Sequence, residues 1–129
     1  MIVETYWRGD VAIAHLIGEI DTREAEEVWG ELRQILAEEP AACVLDLSHT
    51  TYIASLGLGI LLKFAQETRF RQIRLRLAAV TPAIRIVLDT ANLGRILPID
   101  ATVADALLVI ENAGRPAVPF KPRKPAYSV

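Results

Sequence analysis

The sequence predicts an α/β fold, a mixed and largely parallel sheet of about five strands covered by about four helices. Two observations carry this. Segments whose apolar residues alternate or run unbroken take turns along the chain with segments whose apolar residues recur at i, i+3, i+4 and i+7. The apolar share, 52% of 129 residues, suffices for one well-buried core, and the length is too short for two ordinary domains.

The elements follow in order. Val3 to Trp7 and Val11 to Ile17 read as two strands joined at Gly9-Asp10 by a hairpin turn, after which the chain leaves the sheet at Gly18. Asp21-Thr22-Arg23-Glu24 has capping-box spacing, and Ala25, Val28, Trp29, Leu32, Ile35 and Leu36 form one helical face that ends near Glu39-Pro40. Ala42 to Leu47 is apolar on both alternating sets up to Asp46, the mark of a central strand covered on both faces. A polar loop follows, and a second helix runs from Leu56 to about Arg69 with Ser55 as its N-cap.

Ile73 to Val80 is the next strand, with Arg74 and Arg76 on a wetter face. Thr81-Pro82 pairs an N-cap with proline at the first helical position, and Ile84, Val87, Leu88 and Ala91 give that helix its buried stripe before Gly94 closes it. Ile96 to Ile99, broken by Pro98, suits a sheet edge. Thr102 starts a last helix with Val103, Ala106, Leu107 and Ile110 inward and Gly114 as its C-terminal cap. The domain is therefore expected over residues 1–114. In residues 115–129 Pro116, Pro119, Pro122 and Pro125 recur every third position, as on one edge of a polyproline II helix, so the segment is either a disordered tail or a docking arm.

No run of about eighteen apolar residues and no basic start before an apolar stretch occurs, so the expectation is a cytoplasmic protein without a membrane span or signal peptide. The one cysteine, Cys43, falls in an apolar strand and reads as a buried small hydrophobe. The net charge of −2 is uneven: −8 over residues 1–62, +2 over 63–114 and +4 beyond. Glu24, Glu26, Glu27 and Glu31 make either a solvated helix face or an acidic docking surface, and a basic tail on an acidic domain does not suggest nucleic acid. His15, His49 and Cys43 lack metal-ligand spacing, and no nucleophile–base pair suggests an enzyme.

Three stretches carry a family resemblance. Ala54-Ser55-Leu56-Gly57-Leu58-Gly59 resembles the turn and helix start of the STAS domain of bacterial anti-sigma factor antagonists, where an Asp-Ser-Ser-Gly or Asp-Ser-Thr-Gly turn follows an apolar strand. Leu16-Ile17-Gly18-Glu19-Ile20-Asp21 resembles the family's Gly-Glu-Leu-Asp turn, and Val80-Thr81-Pro82-Ala83-Ile84-Arg85 its Ser-Pro-Ala-Val helix start. This chain departs from the pattern at Ala54, for Asp, and at Leu56, for Ser or Thr.

The resemblance implies a non-enzymatic regulator without a cofactor that works by partner switching. The unmodified domain would bind an anti-sigma factor serine kinase, whose ATP belongs to that partner, and phosphorylation of Ser55 would end the binding. Glu19, Asp21, Ala54, Leu56, Gly57, Leu58 and Gly59 would form the partner-binding rim, and a homodimer is compatible with the family. The alternative is a non-phosphorylated STAS subunit of a transporter or signalling scaffold, which Ala54 and Leu56 favour. Two glycines in one helical turn cost about 1 kcal/mol each relative to alanine, so Gly57 and Gly59 answer either to internal packing or to partner approach. Leu56 is either a surface contact or a core residue.

Overall fold

The computed structural model describes residues 1–113; the expected boundary at 114, the Gly114 cap and the segment 115–129 lie outside them. Strands β1 (Ile2–Arg8) and β2 (Val11–Ile20) form the expected antiparallel hairpin, in register from Ile2 opposite Ile17 to Arg8 opposite Val11. Gly9 turns the chain at φ +62°, a conformation that glycine adopts without steric cost. Strand β3 (Ala42–Asp46) runs parallel to the first half of β2. β5 (Arg74–Ala78) runs parallel to β3 and β6 (Ile99–Asp100) to β5, giving the order β1-β2-β3-β5-β6. β6 lies at the edge as Pro98 implied, but the strand expected over Ile96 to Ile99 begins only at Ile99, because the Ile96 and Leu97 N–H groups close a turn onto the Leu93 carbonyl at 3.0 and 2.8 Å.

One strand was not expected. The stretch read as a polar loop contains β4 (Thr50–Ile53), parallel to the last residues of β2, so the sheet has six strands. Accordingly β2 does not leave the sheet at Gly18. It shifts register there, at φ +114°, and continues to Ile20, which places Glu19 in a strand rather than a loop. Thr50 hid β4 because its polar side chain points inward, where Oγ1 donates to the Leu16 carbonyl at 2.8 Å.

Helices α1 (Ala25–Ala37), α2 (Ser55–Phe70) and α3 (Pro82–Thr90) cover one face of the sheet, and α4 (Val103–Ala113) lies on the other over β3, β5 and β6. The first core joins Ala12, Leu16, Cys43, Leu45 and Leu77 to Val28, Leu32, Leu61, Phe64, Ile84 and Leu88. The second sets Ala42, Val44 and Ala78 against Ala106 and Ile110. Thus β3 is covered on both faces, as its unbroken apolar run requires.

The helix starts divide into met and unmet expectations. Thr81 Oγ1 accepts the Ile84 N–H at 3.3 Å ahead of Pro82, and Thr102 Oγ1 accepts the Asp105 N–H at 3.0 Å. Asp21 Oδ1 accepts the Glu24 N–H at 2.9 Å, but this closes a turn before α1, and the return half of the capping box is missing. Glu24 instead accepts from the Met1 ammonium at 2.7 Å, a bond that raises the ammonium pKa above its usual 8.0. Asn92 at φ +61°, not Gly94, takes the left-handed position after α3, and Ala91 is exposed rather than in the buried stripe. Asparagine tolerates this conformation because its short polar side chain bonds locally. Arg76 is also not on a wet face: its guanidinium grips Asp100 with two bonds, of 2.6 and 3.0 Å, beside α4.

Burial pushes the Cys43 thiol up to about 12 from an ordinary 9.0. The folded protein should therefore leave Cys43 unmodified by a thiol reagent at pH 8 and expose one reactive thiol on unfolding, which a reagent titration with and without denaturant measures. Because the unfolded chain ionises first, this group's contribution is full below pH 9 and should fall as pH rises toward 12.

Candidate functional site

The site forms where β2 and β4 end and α2 begins. Ile20 accepts the Ala54 N–H at its carbonyl, 2.9 Å away, so the turn into α2 is tied to the last residue of β2. The helix N-cap is Ala54, at φ −79° and ψ 167°, and Ser55 is the first helical residue. This corrects the expectation that Ser55 caps the helix. Alanine has no side-chain acceptor, no cap bond is made, and no acidic residue stands in the first turn. Ser55 is exposed. The first-turn N–H groups, with the positive end of the helix dipole, thus lie beside an exposed hydroxyl and carry no compensating charge.

The two glycines separate cleanly. A β-carbon on Gly57 would stand 2.7 Å from Ile20 Cγ2, 2.9 Å from the Ile20 oxygen and 3.0 Å from Ile53 Cγ2, so this glycine lets α2 sit down on the ends of β2 and β4. A β-carbon on Gly59 would meet nothing within 4 Å. Gly57 belongs to internal packing, and Gly59 is open surface.

The expected rim divides in the same way. Leu56 is 49% exposed and so is no core residue, whereas Leu58 packs against the first core. Glu19 is exposed; Ala54 and Asp21 are half-buried, and Asp21 is engaged in its turn. Tyr52, which sequence reasoning passed over inside the supposed loop, lies opposite Glu19 on β4 and is 50% exposed. An aromatic in a Thr-Thr-Tyr-Ile run was the available signal, since such residues favour strands. The surface is therefore Glu19, Tyr52, Ser55, Leu56 and Gly59.

His15 and His49, 34 residues apart, also meet. His15 Nε2 and His49 Nδ1 are 2.9 Å apart, with Glu4 Oε1 at 3.7 Å from His15 Nδ1 and Asp46 Oδ2 at 3.8 Å from His15 Nε2. The pair, with the Gly18 N–H donating to the His49 carbonyl at 2.9 Å, ties the turn before β4 to β2. Among the described residues no group of three or more His, Cys, Asp or Glu side chains is arranged to hold a metal ion. Nor is any described helix long and apolar enough to cross a membrane.

The family model described as the STAS domain matches residues 3–106. A Mycobacterium tuberculosis protein named as an anti-anti-sigma factor is 31% identical over 105 residues, 77% of this chain and 68% of that protein. A Bordetella bronchiseptica protein named as an anti-sigma factor antagonist is 32% identical over 87 residues, 67% of this chain and 75% of that protein. The crystal structure of an anti-sigma factor antagonist from Mycobacterium paratuberculosis matches with a TM-score of 0.79 at 25% identity, covering 85% of this chain and 93% of that one.

Substitutions at the helix start should separate these roles. Gly57→Ala should cost roughly 1–3 kcal/mol by overpacking Ile20 and Ile53, although alanine is the better helix former. Gly59→Ala should add up to about 1 kcal/mol, because only propensity changes. Ala54→Asp should add about 1 kcal/mol by supplying the missing cap. Urea unfolding of the three variants checks all three signs.

Proposed function

The chain belongs to the STAS domain family, and from that membership we propose that it is an anti-sigma factor antagonist that works by partner switching. In this reading it binds an anti-sigma factor serine kinase through Glu19, Tyr52, Leu56 and the open backbone at Gly59, and Ser55 is the phosphoacceptor. The chain then catalyses nothing itself, holds no cofactor, and acts in the cytoplasm with its partner; the ATP is the partner's. The observation that carries the reading is Ser55 itself: exposed, first in α2, without a cap or an acidic neighbour in the turn.

The physics favours a switch on the surface over a switch of fold. A phosphoryl group adds about −1.5 to −2 charges and three acceptors. At a helix N-terminus such charge is tolerated, with a gain of about 0.3–1 kcal/mol at an exposed site. The same charge beside Leu56 and Tyr52 would have to be desolvated against the partner. Binding would weaken while the domain stays folded.

Ala54 supports a second reading, a STAS subunit that assembles without being phosphorylated, because it offers a kinase no carboxylate beside the acceptor. Incubation with the anti-sigma factor kinase encoded nearby and ATP, followed by mass spectrometry, separates the two. The first reading expects one phosphoryl group on Ser55; no transfer despite tight binding would overturn it in favour of the second.

Ser55→Ala should abolish transfer and leave stability within about 0.5 kcal/mol, since no cap bond is lost. Ser55→Asp should weaken kinase binding by about tenfold or more through an added charge at the contact. Tyr52→Ala and Leu56→Ser should each weaken it roughly tenfold as truncated apolar contacts, with melting temperatures little changed. Calorimetric titration of the four variants gives these values.

A further inference from the structure

The turn between β3 and β4 is held to β2 by a contact whose proton count is limited. His15 Nε2 and His49 Nδ1 stand 2.9 Å apart, and the ring centroids are 5.0 Å apart at an interplanar angle of 56°. That centroid separation is close to the largest that such a contact allows, so the two nitrogens point at each other. A hydrogen bond between imidazoles needs one N–H and one lone pair. With neither ring or one ring protonated the bond can form. With both protonated, two N–H groups face each other and two like charges are added to the conflict.

The surroundings assign the single proton. Glu4 lies opposite His15 on β1, its Oε1 3.7 Å from His15 Nδ1, and Asp46 lies opposite it on β3, its Oδ2 3.8 Å from Nε2. Neither carboxylate has a lysine or arginine partner among the described residues. Tyr6 beside them keeps its proton, because its O–H donates to Glu4 Oε1 at 2.9 Å and this bond raises the phenol pKa above its ordinary 10.0. Beyond Asp46 the row continues through Ala78 to Asp100, whose charge Arg76 takes up. An added proton thus sits on His15 between two anions, with Nε2 donating to His49. The exposed His49 has Ser48 Oγ at 3.2 Å from its Nδ1 and, among the described residues, no carboxylate within ion-pair distance. A second proton there meets no anion and turns the acceptor into a donor.

The start of β4 depends on this residue. His49 is held by its ring to His15 and by its carbonyl, which accepts the Gly18 N–H at 2.9 Å. The four residues of β4 follow at once and pair with β2 alone, over Gly18 to Ile20. Imidazole side chains change charge between about pH 5 and about pH 8. We propose that the His15–His49 pair is a proton-operated latch: it stays closed with up to one added proton, and the second opens it, freeing the turn at 47–49 and loosening the pairing of β4 with Gly18 and Glu19. Tyr52 lies opposite Glu19, so the latch adjusts the partner surface. That consequence rests on the partner-switching reading, whereas the latch does not.

Amide hydrogen exchange of the full chain, each rate divided by its intrinsic value at the same pH, reads the latch without a partner. Protection at Gly18 and Thr50 should fall about tenfold between about pH 8 and about pH 5, while Leu61 and Phe64 in α2 keep theirs. His49→Ala removes the latch and should show the low protection at both pH values. His15→Gln keeps a donor and an acceptor that can serve His49 in either charge state, and should hold the high protection throughout. A general weakening through Glu4 and Asp46 would instead appear in every variant. Unchanged protection in the parent chain, a fall that persists in His15→Gln, or full protection in His49→Ala overturns the proposal.

Discussion

A helix can approach the end of a strand only as closely as its contact residue allows, and at Gly57 that limit sets the geometry of this protein's site. With no β-carbon in the way, α2 rests directly on Ile20 and Ile53, and the Ala54 N–H reaches the Ile20 carbonyl. The seat needs β2 to run past Gly18 to Ile20 and β4 to lie beside it. The bulge at Gly18, the inward Thr50 and the His15–His49 pair all serve that extension. If α2 were lifted, Ser55 and Leu56 would lose their fixed position relative to Tyr52 and Glu19.

Local electrostatics then act on a rigid frame. The first turn of α2 has unpaired donors and the positive dipole end but no cap and no acid, so its charge is uncompensated. Ala54 supplies neither a side-chain acceptor for the cap nor a carboxylate. One side chain thus sets both the cap and the charge of that turn. Gly59 is separate from both, since it supports nothing inside the domain.

The two faces of the sheet are covered unequally. Three helices close one side over the whole of β2 and β3, whereas α4 serves β3, β5 and β6 alone. The hairpin pays for its exposure with charge: Glu4 and Arg8 alternate with Tyr6 and Ile2 on that side of β1. Apolar residues on a half-covered strand are then available for a contact that the helices do not make.

Sequence by itself determined the hairpin, the four helices, the two-sided burial of β3, the cap at Thr81 and an edge strand next to Pro98, though not its bounds. Each rests on periodicity or on a residue whose preference is intrinsic, such as Pro82 or Thr102, and these act over a few neighbours. The family resemblance singled out Ser55 and its surroundings as a candidate site. Only the tertiary structure decided the rest. Thr50 reads as loop until the Leu16 carbonyl, 34 residues earlier, appears as its partner. Gly57 and Gly59 are identical in sequence terms, and what separates them is Ile20 and Ile53 beneath one and solvent beyond the other. Ser55 looked like the cap because serine is a good one, but the tie between Ala54 and Ile20 sets the helix start one residue earlier. Long-range contacts make these choices, and no local propensity encodes them.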